Sequence, residues 1–383
     1  MKVEQGQDSV DRCDAEIGSN EPVVTDAAPV SNVRYAVRAQ SFWVGTVSFK
    51  EDVVEESLCE KLGATIPIIS APLGGATGPA MTAAVSEAGG FGTIPLWSGG
   101  AELVHNGVHS VRALTDRNFA VNLNMEFCGD EELQACLDQK VFAVSLFWGV
   151  KPDYIEKAKQ GGLFVFSTVG NAKEAKMAAD AGADAIVAQG WEAGGHVWGQ
   201  VATMALVPAV ADAVDVPVVA AGGISDGRAM AAALMLGASG VWVGTRFLAS
   251  NEATIHPEYR RLILEASEDQ THWAKELYDG YWPNAPHRAL LNETSMAWET
   301  AGEPDPGRRP GENEPVGHQG NGDPVMRYDA HTPRPDTTGD IPAMSLWSGQ
   351  GVSQVRKPQS AAEIVEEIYR EAKQTIQAFQ QRN

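Results

Sequence analysis

Cysteine is scarce: the 383 residues carry four, Cys13, Cys59, Cys128 and Cys136, with no CxxC pair among them. That argues against a disulfide framework and a thiolate metal cluster, and it fits reduced thiols in a cytoplasmic protein; no metal is expected. Positive charge is also short, 29 Lys and Arg against 50 Asp and Glu, for a formal charge of −21. Such a surface repels nucleic acid and anionic lipid, so neither is an expected partner. Hydrophobic residues make up 44% of the chain, yet no run of about 18 apolar residues occurs and no membrane span is expected. Residues 1–29 have neither a basic start nor an apolar run and do not read as a secretory leader. Also absent are a GxGxxG opening the first βα unit and a GxxxxGKS/T, which disfavours a Rossmann NAD site and a P-loop.

What the chain does have, from Ile66 onward, is a succession of short apolar runs, each closed by Gly or Pro and followed by an Ala-rich helical stretch. The runs predict strands at Ile66–Ala71, Phe91–Ile94, Phe119–Leu123, Phe142–Phe147, Leu163–Thr168, Ala185–Gln189, Val218–Ala221 and Gly240–Val243. Continuously apolar strands suit a parallel sheet covered by helices. Eight such units point to a (β/α)8 TIM barrel, whereas six or seven would permit an open doubly wound sheet. Residues 1–50 read as an N-terminal extension, 51–270 as the barrel, 271–345 as a Pro/Gly-rich lid or insertion, and 346–383 as a C-terminal segment and helix packing on the barrel. Ten of the 21 prolines fall between Pro283 and Pro342, so this excursion is expected to be mostly irregular: a lid, a subunit contact of a homo-oligomer, or a loop. The last helix is marked by Ala361, Ile364, Val365, Ile368 and Ala372 at helical spacing.

In such a barrel the working residues sit at strand C-termini and in the loops that follow. After strand one comes Ser70–Gly78, small enough for close approach of a flat ligand or for a tight turn. Asn122 ends strand three with an amide that can donate and accept, to a ligand or to its own loop. After strand six stands Gln189-Gly-Trp-Glu-Ala-Gly-Gly-His196; of eight histidines, His196 alone directly follows a strand-end Gly-Gly loop, where it can act as acid or base. Gly222-Gly223-Ile224-Ser225 after strand seven and Gly244-Thr245-Arg246 after strand eight occupy the loops that bind phosphate in this fold. A phosphate site there, with small or amide residues on loops one, three and six, describes an elongated phosphorylated cofactor, and FMN fits.

Together these segments resemble the nitronate monooxygenase family: Pro67–Pro72 (PIISAP), Ala84–Gly92 (AVSEAGGFG), Ala188–His196 (AQGWEAGGH), Ala221–Arg228 (AGGISDGR), Val243–Phe247 (VGTRF), and, late in the chain, Ser348–Val352 and Ala361–Val365. The resemblance runs from about Leu62 to Ala372, and the string ending at His196 is its specific element. It implies that FMN is held by Ala71, Pro72, Leu73, Asn122, Gln189, Gly194, Gly195, Gly222, Gly223, Gly244 and Thr245, and that His196 faces flavin and substrate. It implies oxidation of alkyl nitronates or nitroalkanes by O2 to a carbonyl compound and nitrite. Trp191, Trp198, Ser348 and Gln350 are secondary candidates for the substrate wall, the tryptophans equally for packing. The alternatives are an NAD(P)H-using, FMN-dependent enoyl-thioester reductase on the same scaffold and a non-catalytic flavin-binding protein. The excursion and the N-terminal arm do not match compact members of the family.

Overall fold

The computed structural model describes residues 57–382, so the extension expected over 1–50 and Cys13 lie outside the described residues. Eight parallel strands form one sheet: β1 (Ile68–Ser70), β2 (Gly92–Pro95), β3 (Phe119–Asn124), β4 (Ala143–Phe147), β5 (Phe164–Val169), β6 (Ala185–Gln189), β7 (Val218–Ala221) and β8 (Gly240–Val243). Each pairs with its sequence neighbour, β8 returns to β1, and the Ile69–Phe91 bridge joins β1 to β2, closing the expected TIM barrel. Every strand is buried on both faces, which is why the runs read as continuously apolar rather than alternating.

The pleat nevertheless divides each strand. Ile69, Phe91, Ala120, Ala143, Phe166, Val187, Val219 and Trp242 share the cluster inside the barrel, while Ile68, Val121, Val144 and Val241 join the core beneath the helices. Phe91, Phe166 and Trp242 supply bulk opposite Ala120 and Ala143, and the short helix Leu58–Leu62 sends both leucines into the same cluster. The interior is therefore filled, not hollow. Side chains two residues further along point the same way, one layer higher. On seven of the eight strands those positions are Ala71, Asn122, Ser145, Thr168, Gln189, Ala221 and Gly244, all small or polar, and together they make the floor of a cavity at the C-terminal mouth.

The final helix, Ala361–Arg382, buries the five residues that its spacing picked out and lies on the helix Gly227–Met235. A Cβ on Gly227 would collide with the backbone at Ala372. Arg246, just after β8 and buried, ties the helix down through Gln359 and Glu367. No helix among the described residues is long and apolar enough to cross a membrane, and Cys59, Cys128 and Cys136 are unpaired.

The excursion is mostly irregular, as expected, but it carries short strands, a helix and a core of its own. Thr271–Ala274 pairs with His287–Leu290, which pairs in turn with Gly195–His196 of the loop after β6. A helix follows at Glu293–Thr300, and Pro315–His318, Pro324–Met326 and Thr338–Gly339 form a second small sheet. Ala274, Leu277, Tyr278, Ala289, Trp298 and Tyr328 are its own core. Arg309 knits it: the guanidinium lies 2.6 Å from both Asp279 and Glu312, donates to Leu277 O and stacks 4.2 Å over the Tyr328 ring. All three charged side chains are largely buried, so removing the cation strands two carboxylates. Arg309→Ala is expected to cost about 3–5 kcal/mol, read as a lower denaturant midpoint, whereas the exposed pair-former Arg308→Ala should cost under about 1 kcal/mol.

Candidate active site

The mouth cavity has a volume of about 590 Å3. Its floor is the strand-end layer described above, and its sides come from loops one, six, seven and eight and from the excursion. Of the residues singled out by sequence, Ala71, Pro72, Leu73, Asn122, Gln189, Gly194, Gly195, His196, Gly222, Gly223, Gly244 and Thr245 all line it. Trp191, Trp198, Ser348 and Gln350 do not.

The string after β6 can be read residue by residue. A side chain on Gly190 would collide with Thr203, whose N–H and hydroxyl donate to Glu192 (2.8 and 3.0 Å), so that Glu192 caps the helix Thr203–Ala211. Gly194 lies against the backbone of Ser348 and Gly349 with no room for a Cβ, and Gly195 has φ +69°. Glycine is thus required for close approach at one position and for left-handed backbone at the next. Gln189 spends both ends of its amide on the loop: Nε2 donates to His196 O (3.1 Å) and Oε1 accepts from Trp198 N–H (2.9 Å). Asn122, 1% exposed, donates through its amide nitrogen to Ser145 O and Oγ, which leaves the carbonyl end as what it can offer the cavity.

The four remaining candidates serve the loop from outside. Trp191 lies under the guanidinium of Arg288 at 4.6 Å, and Arg288 donates to Trp191 O. Trp198 donates to Glu174 (2.8 Å) and stands behind Trp148. The stretch Ser348–Gln350 does return to the mouth, but with backbone: Gly349 N–H donates to Thr245 Oγ1 and Gln350 N–H to Glu192 O, while Ser348 is fully buried.

Aromatic rings surround His196. Trp282 is tilted against its imidazole with centroids 3.9 Å apart, Trp347 stands at 5.2 Å, His287 at 5.7 Å and Trp148 at 6.0 Å. Trp97, Phe127, Trp282, Trp347 and His331 line the cavity without having been singled out by sequence. Trp97 and Phe127 follow strands two and three and obey the strand-end rule; Trp282, His331 and Trp347 come from irregular sequence with no signal of that kind.

His196 Nε2 is sealed from solvent and makes no hydrogen bond to the described residues. Burial, and secondarily the neighbouring His287, hold the ring well below the usual histidine range, so it is neutral at pH 7. His287 is pushed by burial to about 4. Its tautomer is fixed: Tyr278 N–H donates to Nε2 (3.1 Å) and Nδ1 faces Ala285 O at 2.9 Å, so Nδ1 carries the proton. Protonating Nε2 would set two N–H groups against each other. Since the unfolded chain titrates near 6.5, stability is unaffected above that pH and falls between 6.5 and 4, by about 3 kcal/mol from this ring. Denaturation midpoints across that window should decline in the wild type, and His287→Gln should flatten the decline.

Comparisons with known proteins agree with this geometry. Residues 55–127 and 124–371 match the model of the nitronate monooxygenase family. A nitronate monooxygenase of Paraburkholderia phytofirmans is 29% identical, covering 85% of this chain and 98% of that one. A hydroxy-methyl-oxo-octahydro-indene-carboxyl-CoA dehydrogenase of Rhodococcus jostii is 36% identical over 64% of this chain and 68% of its own length. Among solved structures, FabK from Thermotoga maritima superposes with TM-score 0.70 at 29% identity (85% and 98% covered), and a nitroalkane oxidase from Streptomyces ansochromogenes with 0.67 at 26% (82% and 97% covered). A filled eight-stranded barrel, a glycine-lined mouth and a family match over most of the sequence lead to one assignment: this chain belongs to the nitronate monooxygenase family of flavin-dependent oxidoreductases.

Proposed function

We propose that this protein binds FMN across the barrel mouth and oxidises alkyl nitronates, with O2 as acceptor, to a carbonyl compound and nitrite. The observation that carries the reading is His196 Nε2, a buried polar atom without a partner at the end of a glycine-lined cavity. Such an atom is costly unless a ligand satisfies it.

The residues present fit FMN. Gly222 (φ +102°) and Gly223 (φ +71°) have backbone that a side chain would strain, and with Gly244 and Thr245 they line the cavity at the loops after β7 and β8, where this fold holds phosphate. Ala71, Pro72 and Leu73 line loop one, Asn122 offers its carbonyl to a ring or ribityl group, and Gly195, with nothing within 4 Å of where its Cβ would be, leaves room beside His196. Gln189 acts here mainly as the brace of the His196 loop. FMN would supply the redox chemistry, taking electrons from the substrate and passing them to O2. The chain supplies position and proton control. A neutral His196 donates one hydrogen bond to a nitronate oxygen, or accepts the proton α to a nitro group when the neutral nitroalkane binds. Aromatic walls exclude water from that contact.

A second reading, oxidoreduction of an acyl thioester, is favoured by the dehydrogenase relative from Rhodococcus jostii. Anaerobic mixing separates the two: bleaching of the flavin by a nitronate supports the first, bleaching by NAD(P)H or an acyl-CoA the second.

Two outcomes follow for the leading reading. His196→Asn should keep the oxidised-flavin spectrum while oxygen uptake with a nitronate falls by about 10²–10⁴; unchanged turnover would remove the histidine from the chemistry. Because burial places the free enzyme's ring well below 6.5, kcat/KM for a nitronate should show no histidine limb from pH 6.5 upward. A limb in that range that vanishes in His196→Asn would contradict a neutral ring.

A further inference from the structure

We infer that Trp282 fixes the width of the substrate that reaches His196, making this chain selective for narrow, unbranched carbon skeletons. The inference rests on the proposal that His196 faces the substrate, and it assigns a specificity role to a residue outside the glycine loops.

Trp282 is 4% exposed and lies closer to His196 than any other ring, with centroids 3.9 Å apart and an interplanar angle of 34°. Trp347 stands on the imidazole at 5.2 Å. Both indoles line the mouth cavity and pack on the imidazole, so a substrate that reaches His196 shares its space with them. Neither wall yields easily. Trp282 is held edge-on by Trp148 at 4.6 Å and Phe127 at 4.9 Å, with Trp97 at 6.4 Å. Trp347 is pinned by its Nε1–H to Thr332 Oγ1 (3.1 Å), and that hydroxyl donates to Gly74 O on loop one. Rigid aromatic walls on two sides accept a flat or linear group and reject a branch.

Backbone conformation supports the assignment. Seven non-glycine residues among those described have positive φ, and four of them belong to this corner of the molecule. Ser98 and Tyr281 line the cavity, Trp148 packs on Trp282, and Asn284 lies in the same turn as Trp282. Left-handed backbone is unfavourable for residues other than glycine and asparagine and persists where the surroundings impose it. The turn Gly280–Asn284 delivers an indole into the mouth at that expense, while Tyr281, its neighbour, is left 74% exposed. Burial of an apolar residue would by itself have favoured an unstrained turn.

The experiment compares wild type, Trp282→Ala and Trp282→Phe, each loaded with flavin. Two ratios are read, branched over straight-chain: kcat/KM for alkyl nitronates, and affinity for alkyl carboxylates of the same shapes, which are inert and are followed by perturbation of the flavin spectrum. Trp282→Ala should raise both ratios by about tenfold or more, the scale of one methylene-sized steric contact, with Trp282→Phe in between. Ratios unchanged in folded, flavin-loaded variants would overturn the proposal and leave Trp282 a packing residue. If no variant oxidises a nitronate, the proposed reaction fails while the carboxylate ratio still decides the role of Trp282. Should Trp282→Ala not fold, the Trp282→Phe ratio, raised or unchanged, decides alone.

Discussion

The backbone of Gly195 and His196 is paired with Arg288 and His287, and this short antiparallel ladder is what the mouth of the barrel is built around. Val197 N–H adds a bond to Pro286 O at 2.8 Å. A loop after a barrel strand ordinarily satisfies its own polar groups or leaves them to water. Here a remote segment satisfies them instead, and it brings a full set of supports: Arg288, 2% exposed, clamps Trp191 O, and Tyr278 holds the His287 ring. Trp282 precedes this ladder by a few residues, so the same pairing that steadies His196 also sets the indole against it.

Barrel and excursion thus contribute different physics to one cavity. The pleat of the strands puts small or amide side chains on the floor, suited to a flat cofactor. The excursion adds aromatic bulk above and takes the site out of water. Burial lowers His196, His287 and His331 alike, so the histidines around the cavity are neutral although the chain as a whole carries −21. The cavity therefore holds no cationic cluster of histidines, and among the described residues Arg334 is the charged side chain on its lining.

The barrel was legible because strands buried on both faces leave an unbroken apolar run, and the last helix because its buried residues keep a period. The address of His196 was legible too, since it follows from strand order and two glycines. Gln189 was placed correctly in sequence, but its commitment to the loop depends on the path of the chain from His196 to Trp198, which no spacing encodes. Trp191 and Trp198 drew notice by being adjacent to the motif in sequence, whereas Trp282 and Trp347 are adjacent in space. Strands of two to four residues, as at Gly195–His196 and Thr338–Gly339, are too short to show alternation, so an excursion with its own core read as irregular.

The ladder at His196 also has a consequence for assembly in time. Its two sides are separated by roughly ninety residues of chain, and loop closure over such a span is paid before the contact returns anything. Most neighbouring barrel strands meet after far shorter intervals, but the β1–β8 seam closes over roughly 170 residues, longer still than the ladder. On a growing chain β6 and its loop are complete well before residues 287 and 288 exist to fasten them, so the backbone of His196 gains its partner late.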